Sequence, residues 1–371
     1  MKRARQAGFT IIELMISLVI ASLLVIMILS IFSRLSFAYR EQQQIVSVQQ
    51  LLSAARGAIE LDAKQAGLEI SQGFKISADG SGVAGVMHSP VTVTNNSTTP
   101  DQVAFYYADL SKQAVVTSAG SPTVLTVDSA TGFAANDLVV LTTPDTTSFS
   151  NPISPTTDAR IAKFDACVVQ IQSINVNAIT FFVSGNWGRA LNDHCANASA
   201  GVTMMYPFVA HAWRIDTTRA GQGVLQMEPT GNLVTAAALW QDEAYGFTDL
   251  QTSTYFYDAD ATDQDGDGDA TRDWYSAAAQ KTMTDPIVKT GAFTAPIMMT
   301  ISLVARTDRD VEGVFTSATP TLTITTNTAN NNIGDHDTVT LPSATDTTLM
   351  GNRIYRYITF RVDLRNMGVG R

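Results

Sequence analysis

The sequence predicts an α+β fold: a long N-terminal α-helix, transmembrane in its first half, packed on a β-rich, mainly antiparallel C-terminal globular domain. Three observations carry this expectation. A charge-free run of 20 residues, Leu14 to Ser33, follows a basic N-terminus. Beyond it Ile45, Val48, Leu52, Ala55 and Ile59 recur at alternating steps of three and four, the stripe of an amphipathic helix. From about Gly67 onward Thr, Ser, Asn and Gly punctuate short β-branched runs, which is strand composition.

The chain's 371 residues are 45% hydrophobic and 16% charged, with a formal net charge of −10. The apolar fraction supports a sizeable core and excludes wholesale disorder. The acidic balance repels phosphate at long range, so no direct nucleic-acid partner is expected.

Met1 to Gly8 reads MKRARQAG, with Lys2, Arg3 and Arg5 and no acid. At about 1.5 Å per residue, the run from Leu14 to Ser33 spans the roughly 30 Å of a bilayer core. The basic leader predicts a cytoplasmic N-terminus with the remainder outside. A secretory signal peptide has a shorter apolar region and a small-residue cleavage site, matched here only weakly by Ser36-Phe37-Ala38. An ordinary single-span anchor fits the length. Neither accounts for Glu13 at the start of the apolar run, a carboxylate that costs on the order of a few kcal/mol there unless partnered. The next cation along the chain, Arg34, lies some 30 Å further up a helix. The expected partner is therefore a positive group from another molecule, or a newly made amino terminus. One helix is expected from about Phe9 to Ala66, slightly weakened by Gly57 and ended by Gly67.

The stretch Gly8-Phe9-Thr10-Ile11-Ile12-Glu13-Leu14 resembles the class III signal of type IV pilins and type II secretion pseudopilins: a basic leader ending in Gly, an aromatic residue, and a Glu five residues into the mature chain. The resemblance implies cleavage between Gly8 and Phe9 by a prepilin peptidase, followed by N-methylation of Phe9. In a packed filament the Glu13 carboxylate would then pair with the Phe9 amine of a neighbouring subunit. The domains are accordingly a leader over 1–8, a transmembrane and amphipathic helix over 9–66, and a β-rich globular domain over 67–371. One departure is that many major pilins carry a helix-breaking Pro in this span, whereas this chain has none before Pro90.

Within the β-rich region strands are expected at Thr123 to Val127, Leu138 to Thr142, Cys167 to Ile174, Ala178 to Val183, Leu250 to Tyr257, Pro296 to Val304, Thr321 to Thr325 and Ile354 to Leu364. Thr123 to Leu141 reads as two strands around a turn. Thr143 to Thr157 and Ala318 to Thr348 read as polar surface insertions. The only two cysteines, Cys167 and Cys195, would close a loop of about 28 residues and stabilise the fold by roughly 3–4 kcal/mol in an oxidising compartment. A secreted domain makes that bridge the expectation; the alternative is two unpaired thiols. Asp193-His194-Cys195 suggests a nucleophile, but neighbours on a strand face opposite ways. Gly80-Ser81-Gly82-Val83-Ala84-Gly85 satisfies GxGxxG, yet His88-Ser89-Pro90 follows in place of a helix, so it reads as a turn. No enzyme is expected.

Asp263, Asp265 and Asp267 alternate ahead of Gly268, as in the first half of a calcium loop. Position twelve is Trp274 and not Glu, which argues against an EF-hand. Two readings stand: a turn binding Ca²⁺ through Asp263, Asp265, Asp267 and one of Asp269 or Asp273, or a solvated acidic turn. Gly246 to Gln251 with Tyr255, the acidic loop, Ile301 to Thr307, and Phe360 to Asn366 together resemble the C-terminal region of PilW-type minor pilins. That resemblance implies a minor pilin that helps prime and assemble a type IV pilus. Its partners would be other minor pilins and the major pilin, the prepilin peptidase/methyltransferase, the inner-membrane assembly platform and a tip adhesin. Membrane lipid would surround the helix before assembly, with the domain periplasmic and later on the extracellular pilus. The alternatives are a type II secretion pseudopilin, and a calcium-dependent adhesive module displayed on the filament.

Overall fold

The computed structural model describes residues 10–70, 73–76, 86–94, 100–121, 123–144, 164–182, 200–218, 223–230, 239–257, 272–276, 295–307, 321–322, 339–340, 354–364 and 366. One helix, α1 (Ile11–Gln65), runs for 55 residues, roughly 80 Å at the usual rise. Thr10 is its N-cap. At the other end Ala66 donates its N–H to Asp62 O at 2.9 Å. Gly67 follows with φ +80°, a left-handed conformation that a Cβ disfavours, and turns its own N–H away to Tyr106 O at 3.0 Å. The expected end at Gly67 is thus where the chain leaves the helix.

The two halves of α1 differ in what surrounds them. From Ile11 to Leu35 every large apolar side chain is more than half exposed, so among the described residues nothing packs over this half. Val48, Leu52, Ala55 and Ile59 are buried, Ile45 is half-buried, and Asp62 and Ala63 continue the buried face. The predicted stripe is the docking face, and burying Val48, Leu52 and Ile59 contributes roughly 1.5–3 kcal/mol each.

The β region contains, in chain order, β1 (Phe74–Ile76), β2 (Val86–His88), β3 (Val91–Thr94), β4 (Gln102–Ala108), β5 (Ala114–Ser121), β6 (Val124–Val127), β7 (Leu138–Pro144), β8 (Phe164–Asn175) and β9 (Ala178–Phe181). It continues with β10 (Met204–Asp216), β11 (Val224–Glu228), β12 (Gln241–Tyr245), β13 (Phe247–Tyr257), β14 (Arg272–Ser276), β15 (Ala295–Arg306), β16 (Thr321–Leu322), β17 (Val339–Thr340) and β18 (Tyr355–Asp363). Among the described residues pairing is antiparallel apart from the contact of β1 with β8 and the isolated bridge of Ala210 with Thr230. An α+β protein with a mainly antiparallel sheet region is therefore what folds.

Six of these strands close on themselves. β10 pairs with β5, β5 with β6, β6 with β9, β9 with β8, β8 with β7, and β7 again with β10. The ring is a small barrel filled by Val116, Leu125, Val139, Leu141, Ile171, Ile179 and Phe181 among others, and closure removes the open edges a flat sheet would leave. β10 then continues out of the barrel: Phe208 to Trp213 pair with β4 and Ala212 to Asp216 with β11. A second sheet has the order β14-β13-β15-β18. The buried face of α1 lies against both layers. It shares a core with Val103 and Phe105 of β4 and Trp213 and Ile215 of β10, and with Ile301, Leu303, Phe360 and Val362 of the second sheet.

One sequence expectation changes. The strands within Thr123 to Leu141 exist as β6 and β7, but they do not pair with each other; the ten-residue link from Asp128 to Asp137 lets each join different walls of the barrel. Within Ala318 to Thr348, read as a polar insertion with a strand at Thr321 to Thr325, the described part of that strand is β16 (Thr321–Leu322), which pairs with β17. Most of Thr143 to Thr157, the remainder of Thr321 to Thr325, and the glycine run Gly80 to Gly85 lie outside the described residues.

Candidate functional site

Gly8 and Phe9 lie outside the described residues, so the site begins at Thr10. The Thr10 hydroxyl accepts the Glu13 N–H at 3.3 Å. Glu13 Oε2 accepts the Thr10 N–H at 3.0 Å and the Thr10 hydroxyl at 2.9 Å. This is a reciprocal capping box, which fixes where the helix starts. The segment thus supplies hydrogen bonds to Glu13 through Thr10-Ile11-Ile12-Glu13, a Thr-x-x-Glu spacing readable in the sequence. Among the described residues the next cation along the chain is Arg34.

The second part of the site is the junction between α1 and the β domain. One further step of the stripe beyond Ile59 falls on Asp62, whose carboxylate is thereby turned into the interface with only 5% of the residue exposed. Its Oδ1 accepts the Tyr107 hydroxyl at 3.1 Å and lies 2.9 Å from His211 Nδ1. Its Oδ2 accepts Trp213 Nε1–H at 2.8 Å. A carboxylate only accepts, so His211 carries a proton on Nδ1. The donors converge because His211 and Trp213 are two apart on β10, and Tyr107 of β4 sits opposite Val209 in register, which puts all three on one face. Burial, and after it the negative charge of Asp62, hold the Tyr107 phenol far above its ordinary pKa, so it stays a donor. Charge-assisted bonds of this kind satisfy an otherwise costly buried carboxylate.

Two more contacts pin the junction. Asn366 donates from Nδ2 to Lys64 O at 2.9 Å and to Gln65 O at 3.3 Å, taking up carbonyls that the helix end leaves without partners. Asp101, just before β4, donates its N–H to Leu250 O at 2.8 Å, and its Oδ2 accepts Thr252 N–H at 2.9 Å. These bonds fill the edge of β13 that β14 leaves open, because β14 pairs only with Ser253 to Tyr257. On the outer face of α1, Glu60 bridges Arg56 and Lys64 at 2.9 and 2.6 Å. Lys64 first, then Arg56, holds the Glu60 carboxyl below its usual range.

The other expected site residues fall mostly outside the described residues. Cys167 is buried on β8, whereas Cys195 and the adjacent His194 lie outside them. So do Asp263, Asp265, Asp267 and Asp269; Asp273 stands on β14 opposite Phe256. Among the described residues no group of three His, Cys, Asp or Glu side chains could hold a metal. Asp62, Tyr107, His211 and Trp213 were not expected from sequence; the available signal was an acid falling in step on an apolar stripe.

A family model for the prokaryotic N-terminal methylation motif matches residues 3–29. The chain is type IV pilin-like at its N-terminus. The match takes in the leader from Arg3 onward, the Gly8–Phe9 step, Glu13 and the first part of the exposed apolar helix, and stops well short of the β domain. That helix is long and apolar enough to cross a membrane, in keeping with anchoring by a pilin-like signal. No curated protein and no solved structure matches the chain. Gly246 to Gln251 with Tyr255, Ile301 to Thr307 and Phe360 to Asn366 fall on or beside β13, β15 and β18, neighbours in the sheet that packs on α1, and the acidic loop lies outside the described residues.

Proposed function

We propose that this chain is a minor pilin of PilW type that takes part in priming and assembling a type IV pilus, within a complex of minor pilins at the tip. The observation supporting this reading is the division of α1. Its first half is bare and apolar behind a prepilin-type signal, while its second half is fixed to a β domain by apolar packing and a buried carboxylate. Such a helix is stored in the membrane and then packs against other helices. The role is structural, not catalytic.

In this reading the prepilin peptidase cuts between Gly8 and Phe9 and Phe9 is methylated. The capping box occupies Oε2 of Glu13, leaving Oε1 for the Phe9 amine of a neighbour. The domain faces the periplasm with Cys167 and Cys195 bridged, and later stands on the extracellular filament against other minor pilins, the major pilin and an adhesin.

The test is intact mass of the protein recovered from cells, together with piliation of a Glu13→Ala strain. The expected mass lacks the first eight residues, carries one methyl group and is two hydrogens lighter for the bridge, and Glu13→Ala keeps leader removal but loses filaments. Retention of the leader, or normal piliation in the variant, refutes the proposal. Loss of protein secretion with intact pili would move the chain to a secretion pseudopilus.

A further inference from the structure

The helix between its span and its domain has a composition that neither role accounts for. The uncharged run ends at Ser33, and the first helix residue buried by the β domain is Val48. In the neck between them stand Arg34, Leu35, Phe37, Tyr39 and Arg40. Tyr39 is 62% exposed, Leu35 63% and Phe37 46%. Apart from Arg34, no charge occurs from Leu14 to Tyr39. A helix of that length runs to nearly 40 Å, roughly 10 Å more than the hydrocarbon core.

At about 100° per residue, Arg34, Leu35, Phe37, Tyr39 and Arg40 point in directions spread right round the helix. A single partner helix would meet a stripe; a ring is met by something that surrounds. Aromatic rings at the end of a span settle at the headgroup level, and long Arg stems lie along acyl chains while their guanidinium groups reach phosphate. Charge points the same way. Residues 1–41 contain five cations and two acids, a net of +3, so the chain total of −10 leaves −13 for residues 42–371. A domain so acidic is repelled by an anionic lipid surface, and Arg34 and Arg40 are the cations standing between it and the bilayer.

We propose that the neck is a headgroup collar: Arg34 and Arg40 bind phosphates of anionic phospholipid in the leaflet opposite the basic N-terminus, with Phe37 and Tyr39 in the interfacial layer. The collar sets how far the stored protein stands out of the membrane. Eight residues from Arg40 to Val48 hold the β domain about 12 Å above the phosphates, clear of the repelling surface. The inference rests on the membrane-anchored reading and adds its lipid partner.

The test uses the full chain reconstituted in vesicles of phosphatidylcholine with phosphatidylglycerol, brominated at chosen acyl depths. Tyr39→Trp reports the neck, and Ile20→Trp separately reports insertion; the four native tryptophans all lie beyond Gly67 and supply a constant background. The expected result is that the indole of the Tyr39→Trp variant is quenched chiefly by bromines near the headgroup, and shifts towards the deep bromines when Arg34→Leu and Arg40→Leu are added. The indole of the Ile20→Trp variant should be quenched by the deep bromines throughout. A neck profile unchanged by the two arginine replacements, or no quenching at the neck while the span reporter is quenched, overturns the collar and leaves the anchor standing. No quenching of the span reporter refutes the anchor itself.

Discussion

Replacing Asp62 with Ala removes the acceptor of three donors at the helix–domain junction at once. The loss is not uniform across them. His211 has 27% of its side chain exposed and can turn its Nδ1–H to water. Tyr107 and Trp213 are buried, so their groups lose the carboxylate with little water in exchange. A buried donor left without a partner costs about 1–3 kcal/mol, and two such groups, with the small cavity left by the carboxylate, bring Asp62→Ala to about 3–5 kcal/mol. Asp62→Asn keeps the shape but places an amide N–H against one of the donors, so about 2–3 kcal/mol is expected. The assay is denaturant unfolding of the full chain in detergent micelles, followed by the near-ultraviolet circular dichroism of the aromatic junction. Adding Trp213→Phe should relieve part of the penalty of Asp62→Ala, with a coupling of about 1 kcal/mol or more in a double-mutant cycle. An Asp62→Ala protein within about 0.5 kcal/mol of the parent, or additive effects with Trp213→Phe, would mean that the carboxylate does not hold the domain on its helix.

Removing the amide of Asn366 by Asn366→Ala should lower stability by about 1 kcal/mol through loss of the helix end cap, and should speed amide exchange in the last turn of α1; unchanged exchange there refutes the cap. Glu69 combines φ +61° with burial that holds its carboxyl above the usual value of 4.5. Its folded form therefore binds a proton more readily than its unfolded form, and its ionisation costs stability as pH rises from the unfolded value through the folded one. Glu69→Asn, neutral and at ease in the left-handed region, should stabilise by about 1 kcal/mol at pH 7, with the gain shrinking as pH falls below that window; an equal gain at pH 3 would remove the titration from the explanation. Millimolar Ca²⁺ should raise the melting temperature of the full chain relative to EDTA if Asp263, Asp265 and Asp267 bind it, and an unchanged transition supports the solvated acidic turn.

What could be read in advance was what depends on neighbours in sequence. The period of Ile45 to Ile59 gave the docking face of α1, Gly67 its end, and the β-branched runs placed β6, β7, β8, β13, β15 and β18 within a few residues. β10 escaped notice because Met204 to Asp216 carries Pro207 and apolar residues on both faces. One strand there serves a barrel at one end and the helix-facing layer at the other, so no clean alternation marks it. Barrel closure was equally illegible, since β10 meets β5 through Met204 and Val115, a pairing that no local pattern announces. The junction mixes both kinds of information. The carboxylate is legible, because Asp62 falls on the next step of the stripe and an acid there requires donors. Its partners are not: Tyr107 is 45 residues away, His211 149 and Trp213 151. A local period can therefore state that a buried acid needs to be met, while only the register of β4 against β10 decides by what.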